Sequence, residues 1–518
     1  MRFMKNFLQV LMFASVSILQ VKGSTFSIVD FGARPGPGYI NTAAIQATID
    51  SCSKTGGGSV IVPAGIYITG TFELHSNINL YLEAGAVLKG SSNLNEYRSY
   101  IAENDGQTYH YGIIYTRKAE NVSITGYGII DGNEEAFFLW DTPKKIEWGG
   151  VQYTRQKELF RKVRSGIGDG PVMPKDRPRQ MIIFSECKNV LVRDITLKGS
   201  PFWTLHFADC DGVIVNGLKI WNSLETPNSD GIDVTSCSNV NISDCDIRAG
   251  DDAIAITGYA RHFELPGYAY LLHISENINI TNCHLQSRSS GIRIGFLDQN
   301  TVRNINISNV NITGSNRGIG IFLRDEGSLE NIIISQVHIE TRLHTGDWWG
   351  NGEPVHISAV RGKDNGKLGT IRNVVFRDVF CRGESGILVY GSEESIPENI
   401  RFENLYFVLS EGPLTATAGG NIDLRGCLGE KQLFSSDVPA FYARYVKNLR
   451  LSDVTIIWQN ITQSWFTRAL QIEHYHDLVL KNIRANPSPA NPGLKPVFLL
   501  QGKGLQHNLA ANMLEERK

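Results

Sequence analysis

A short phrase, asparagine followed by aliphatic residues two apart, returns along most of the chain and limits what it can fold into. It reads Asn-Ile-Asn-Leu at 77–80, Asn-Val-Ser-Ile at 121–124, Asn-Val-Leu-Val at 189–192 and Asn-Val-Asn-Ile at 239–242. Asn-Ile-Asn-Ile follows at 277–280 and 304–307, then Asn-Ile-Ile-Ile at 331–334 and Asn-Val-Val-Phe at 373–376. Asn-Ile-Arg-Phe at 399–402 and Asn-Leu-Arg-Leu at 448–451 continue it. Alternation at period two is the mark of a strand with one buried face. The spacing is often 23 to 27 residues, with longer gaps where loops intervene. Such a period holds about three short strands and their turns, the unit of a parallel β-helix. One coil cannot bury its own apolar face, whereas a stack of coils can. The asparagine is expected at a bend, where its side chain can bond backbone groups and tolerate unusual dihedrals. Leucine-rich repeats are the competing reading, but their L-x-x-L-x-L framework is missing.

The expected fold is therefore all-β, a right-handed parallel β-helix with a short N-terminal capping helix. Asn41 and Thr42 open that helix, Ile45 and Ile49 share one face, and Gly56-Gly57-Gly58 ends it. From 134 to 180 the repeat lapses into a charged stretch with Trp140 and Trp148, expected as a long loop beside the active face. Arg2 and Lys5 precede an apolar run from Phe7 to about Val21, a pattern that fits an export signal over residues 1–23 better than a membrane span. Residues 24–518 are then expected as one β-helix domain, exported to the periplasm or beyond the cell, free of the membrane after signal cleavage, and monomeric. A formal net charge of −2 without long single-sign runs leaves no nucleic-acid footprint.

Eight cysteines in an exported chain raise the question of disulfides. Cys187, Cys210 and Cys237 each stand three residues before a valine and recur at 23 and 27 residues. Cys245 and Cys283 share the contexts Asn-Ile-Ser-Asp-Cys and Asn-Ile-Thr-Asn-Cys. Equivalent positions on consecutive repeats favour small side chains stacked inside the solenoid over disulfides. No CxxC pair points to zinc.

The sharpest chemical feature lies between Pro227 and Ile256. Asp230 and Asp251 are 21 residues apart, close to one coil, so neighbouring coils would bring them within about 5 Å. Asp252 follows directly. In a regular strand Asp251 and Asp252 would point to opposite faces and bury one carboxylate, but Gly250 permits a bend that turns both outward. Three clustered acids repel, so at least one should be protonated beside ionised neighbours. Glycoside hydrolysis uses that arrangement: one acid protonates the leaving oxygen and one carboxylate activates water. A calcium site uses the same residue type, and these residues alone leave both readings open.

The chain resembles glycoside hydrolase family 28, the polygalacturonases and their relatives. Asp30-Phe31-Gly32-Ala33, Gly56-Gly57-Gly58 and Val62-Pro63-Ala64-Gly65 resemble its N-terminal signature. Ser200-Pro201-Phe202-Trp203-Thr204-Leu205-His206 is similar to its strand entering the site. Asn228-Ser229-Asp230 and Gly250-Asp251-Asp252 resemble its Asn-x-Asp and Gly-Asp-Asp motifs, and together they are specific. The resemblance implies Asp251 as general acid, Asp230 and Asp252 as activators of water, inversion at the anomeric carbon, a pectic polysaccharide or oligosaccharide substrate, and no metal or organic cofactor. The short separation expected of the acids would alone suggest retention, since inversion usually takes ~6.5–9.5 Å.

Two motifs depart from the family. Its Gly-His-Gly is replaced by Ser289-Ser290-Gly291-Ile292-Arg293-Ile294-Gly295, and Gly320-Ile321-Phe322-Leu323-Arg324-Asp325 stands near its Arg-Ile-Lys. Rhamnogalacturonan or decorated pectins thus join polygalacturonan as candidate substrates. Arg293 and Arg324 are candidates to hold a uronate carboxylate through the guanidinium fork, with an ion pair from Arg324 to Asp325 or Glu326 as the structural alternative. Asn228, His206 and Asp233 are further substrate-side candidates, His206 being more often a satisfied strand residue. Trp348, Trp349 and Glu353 lie in a glycine-rich segment where aromatic faces suit sugar rings, although packing accounts for at least one tryptophan. A lyase on the same fold, with Arg293 as base, and a non-catalytic glycan-binding β-helix are the rivals.

Overall fold

The computed structural model describes residues 24–102, 105–144, 170–259, 273–296, 300–364, 367–428 and 432–518. The stretch read as an export signal, and Trp148 with the middle of the 134–180 segment, lie outside these residues.

The recurrent asparagines take the left-handed backbone conformation, with φ of +62° at Asn77, +57° at Asn239 and +58° at Asn304. Asparagine tolerates this region because its short polar side chain satisfies itself locally. The side chains also bond one another from coil to coil. Asn277 Nδ2 donates to Asn239 Oδ1 at 3.2 Å, Asn304 to Asn277 and Asn331 to Asn304 at 3.1 Å, and Asn373 to Asn331 at 2.9 Å. One turn of the ladder substitutes Gly212, at φ +72°, for the asparagine. The repeated phrase is thus the corner of the coil.

Behind each corner the aliphatic residues point inward onto one continuous core that runs from Ile28 to Leu499. The strands pair in parallel with the equivalent strands of the coils before and after, as Ser238–Ser243 does with Asp211–Asn216 and Ser275–Thr281. From Val302–Ser315 onward two sheets fuse, and strands of 13 to 19 residues carry a second left-handed residue at the bend, such as Asn309, Gln336 or Asp378. The result is a parallel β-helix.

The expected cap is a helix over Thr42–Lys54 that buries Ile45, Thr48, Ile49 and Cys52. Asn41 does not cap it through its side chain; its Oδ1 accepts from Arg34 N and its Nδ2 donates to Ile68 O. All eight cysteines are buried and none forms a disulfide, and Cys210 N donates to Cys237 Sγ within the stack. The flanks of the 134–180 segment are not a free loop. Phe138–Pro143 pairs antiparallel with Val172–Pro174, and Phe137, Phe138 and Val172 reach the core.

One sheet carries the functional face. It includes Ile114–Arg117, Ile182–Ser185, Leu205–Ala208, Ile232–Thr235, Ile254–Thr257, Ser290–Phe296, Arg317–Leu323 and Val355–Ala359. Ile387–Tyr390 and the start of Phe441–Gln459 extend it.

Candidate active site

Ile232 pairs with Ile254, so Asp230 and Asp252, each two residues ahead, occupy the same position on successive coils. Coil length suggested Asp251 as the neighbour of Asp230; the register makes it Asp252. Asp251 and Asp252 lie in the turn between Asp246–Ala249 and Ile254–Thr257, outside any strand. The conflict of alternating faces therefore does not arise. Gly250 is required for close approach rather than for an unusual dihedral: a Cβ there would stand 2.1 Å from Thr226 O and 2.8 Å from Ser229 Oγ.

Carboxylate oxygens of Asp230, Asp251 and Asp252 gather within 4.8 Å of one another. All three are nearly sealed from bulk solvent. Burial would raise Asp252, but the Arg293 guanidinium, bonded through Nε, and the Ser290 N–H at 2.9 Å hold it below the usual carboxylate range. Burial and the charge on Asp252 push Asp251 up to about 7, although it accepts from Asn228 N and Asp252 N. Burial and the charges of Asp251, Asp233 and Asp252 push Asp230 well up. Its Oδ1 is buried with no hydrogen-bond partner among the described residues. One ionised carboxylate beside protonated ones is the pattern of paired acid and base catalysts. The oxygen donors alone would also suit a hard cation, but Arg293 already supplies a cation to Asp252.

The turn bearing Asp230 is braced from the flanks of the 134–180 segment. Arg177 donates to Pro201 O, to Pro227 O at 3.0 Å and to Asn228 Oδ1 at 3.0 Å, tying two successive turns together. Glu134 accepts from Ser223 N at 3.1 Å and from Thr226 Oγ1 at 3.0 Å, and burial raises it to about 7. Asn228 itself has a left-handed φ of +57°.

A pocket of ≈240 Å³ opens over the acids, with Trp203, Tyr259, Arg293, Phe322, Trp349 and Arg425 among its walls. Asn228, Arg293 and Trp349 of the expected substrate-side residues reach it. The others do not. His206 is fully buried under the edge of Trp203 and bonds Thr235 Oγ1 at 3.0 Å. Asp233 stands between His206 and Ala255 in the register, and burial pushes it up. Arg324 donates to Leu323 O, Ser358 O and Ser358 Oγ. Asp325 pairs with Lys363 instead of Arg324. Trp348 is packed away, its carbonyl accepting from Arg425. Glu353 is buried against Arg317 and His356, and despite burial the Arg317 charge holds it down at about 2.

Arg177, Tyr259, Arg317, Phe322 and Arg425 were missed. For Arg317 a signal exists. Asp230-Gly231-Ile232, Ser290-Gly291-Ile292, Arg317-Gly318-Ile319 and Ser385-Gly386-Ile387 repeat one phrase. The register stacks Asp230, Asp252, Ser290 and Arg317 in one column. Arg324 was seven residues too far along the same strand connection to line the site.

The pattern of the family described as glycosyl hydrolases family 28 matches residues 52–341. A probable polygalacturonase of Vitis vinifera is 29% identical over 251 residues, covering 46% of this chain and 45% of its own. An exo-poly-alpha-D-galacturonosidase of Dickeya chrysanthemi is 26% identical over 253 residues, covering 44% and 41%. Each alignment thus spans less than half of the relative. The solved family 28 exopolygalacturonase of Yersinia enterocolitica superposes with a TM-score of 0.63 at 18% identity, covering 93% of this chain and 78% of that one.

Proposed function

Because the chain belongs to glycosyl hydrolases family 28, we propose that it hydrolyses glycosidic bonds of galacturonic-acid-containing pectic chains, with polygalacturonan as the main substrate type. The observation that carries this reading is Asp251, raised to about 7 beside Asp252, which Arg293 keeps ionised. Asp251 donates its proton to the leaving oxygen. Asp252 takes a proton from the water that attacks the anomeric carbon, and the orphaned Oδ1 of Asp230 holds that water. The bond to the leaving sugar breaks as the bond to water forms, leaving a saturated reducing end. Asp251 ends ionised and Asp252 protonated, and exchange with solvent resets both.

Inversion is part of the proposal, although the acids are closer than the ~6.5–9.5 Å usual for it. Three carboxylates make this workable: the water sits against Asp230 and Asp252 rather than between two facing groups. The three guanidiniums of Arg293, Arg317 and Arg425 on the pocket walls suit uronate carboxylates. A lyase would need Arg293 to take a proton from carbon, yet burial notwithstanding, the Asp252 charge raises Arg293 above its ordinary value. That disfavours it as a base. Export is proposed from the basic and apolar pattern of residues 2–21.

The test is product analysis on polygalacturonan, rhamnogalacturonan and xylogalacturonan, with Asp251→Asn alongside. Saturated products of α-to-β inverted configuration by proton NMR, lost by about 10²–10⁴-fold in the variant, are expected. Unsaturated products absorbing in the ultraviolet would replace hydrolysis with elimination.

A further inference from the structure

The face that carries the acids is an open surface in principle, since a sheet of a β-helix presents a row of outward side chains along the stack. Here the row reads Tyr115, Ile183, His206, Asp233, Ala255, Arg293, Gly320, His356, Leu388 and Tyr442. Apart from Arg293, every member is buried, Tyr442 being the most accessible at 9%. Something covers the row on both sides of Arg293.

On the N-terminal side the cover is the antiparallel pair Ser99–Ile101 and Thr108–His110. Tyr100, Tyr109 and Tyr111 pack with Tyr115, Ile183, Ala208 and Trp203, and the Tyr111 and Tyr115 rings lie 4.4 Å apart. On the C-terminal side the cover is a second antiparallel pair, Asn421–Asp423 and Leu433–Ser435. Ile422, Leu424, Cys427 and Phe434 seat on Leu388, Tyr390 and Tyr442. This second cover reaches back to the pocket through Arg425. Its guanidinium is pinned by Asp423, by Asp347 at 2.7 Å and by Trp348 O at 2.8 Å, and lies 5.4 Å from the Trp349 ring centre. Gly426 rests against Phe296, where a Cβ would stand 2.7 Å from the ring.

We infer that the site takes the end of a galacturonan chain, not its interior, and that Arg425 with Trp349 forms the wall that sets how many sugars fit. The inference rests on the hydrolase reading above and adds its mode of action. A chain threading along the face would have to run over Leu388 and Tyr442 on one side and Tyr115 and Ile183 on the other, and both paths are occupied. The pocket itself, at ≈240 Å³, falls below the about 300–1,000 Å³ that ligand sites span. Arg425 lies beyond residues 52–341, so the wall is built from a part of the chain that the family pattern does not reach.

The experiment follows a purified galacturonate hexamer and polygalacturonan from the first minutes of reaction with the full chain. One short saturated product, appearing without longer intermediates, is expected, with polymer viscosity falling far more slowly than reducing ends appear. Binding to the Asp251→Asn variant should stop strengthening once the oligomer fills the pocket. An early ladder of saturated oligomers, or affinity that keeps rising with each added sugar, overturns the inference and leaves the hydrolase reading intact. Unsaturated products, or no cleavage of any pectin, overturn the hydrolase reading and this inference with it.

Discussion

Arg293 reaches across one coil to bond Asp252 through Nε, and this ion pair divides the acids into one ionised group and its protonated neighbours. Removing one partner of a buried pair leaves the other uncompensated, at a cost of about 3–5 kcal/mol. Arg293→Ala should destabilise the fold by that order in urea unfolding. It should also move the acidic limb of the kcat/KM profile upward, because Asp252 then ionises less readily. Arg293→Lys should restore part of both. Lost activity with an unmoved acidic limb would reduce Arg293 to a structural support.

The proton on Asp251 should set the alkaline limit of activity. With Asp251 raised to about 7 by burial and by Asp252, kcat/KM should decline as pH rises through that value. A profile flat to pH 9 would remove Asp251 from the role of acid.

Glu134 offers a separate reading of the same electrostatics through stability. Its folded value of about 7 lies above the ordinary 4.5, so the folded state binds the proton more tightly than the unfolded chain. The stabilisation is therefore full at low pH and is lost as pH rises from about 4.5 through 7. Glu134→Gln keeps an acceptor for Ser223 N and Thr226 Oγ1. Its Tm should match the parent near pH 4.5 and exceed it at pH 8. A variant less stable at pH 8 would mean that the charged form is the one the site favours.

The asparagine corner can be split into its backbone and ladder parts at Asn304. Asn304→Ala places a Cβ without a local hydrogen bond at φ +58° and should cost about 1–2 kcal/mol. Asn304→Gly loses the bonds to Asn277 and Asn331 but keeps the dihedral, so it should cost less. Equal losses in the two variants would assign the whole effect to the ladder.

The cysteine stack makes a prediction about oxidation. Alkylation under denaturing, non-reducing conditions should label all eight thiols. A mass deficit of two labels would reveal a disulfide and displace the stacking argument.

Much of this was legible in advance, for local reasons. The asparagine phrase specified the coil because a left-handed corner residue and alternating aliphatics act within five or six positions, and stacking then has one register that buries them. Asp230, Asp251 and Asp252 came together from spacing alone, since one coil brings residues about a period apart into contact. Register errors followed from the same rule: a one-residue uncertainty exchanged Asp251 for Asp252 as the neighbour of Asp230. Arg324 stands near the family's Arg-Ile-Lys position, but the register puts Arg317, seven residues earlier, in the column of the acids.

The sequence by itself thus determined the parallel β-helix, its buried cysteines and the clustering of Asp230, Asp251 and Asp252, all products of short-range periodicity. Only the tertiary structure decided which groups surround those acids. Arg177 and Glu134 arrive from a segment that breaks the repeat, and Arg425 crosses from coils far along the stack to meet Asp347 and Trp349. No period relates these residues to the acids. Their positions follow from where irregular segments of unequal length fold back onto a regular stack, and burial of Phe137, Phe138 and Val172, and of Ile422 and Leu424, against that stack holds them there.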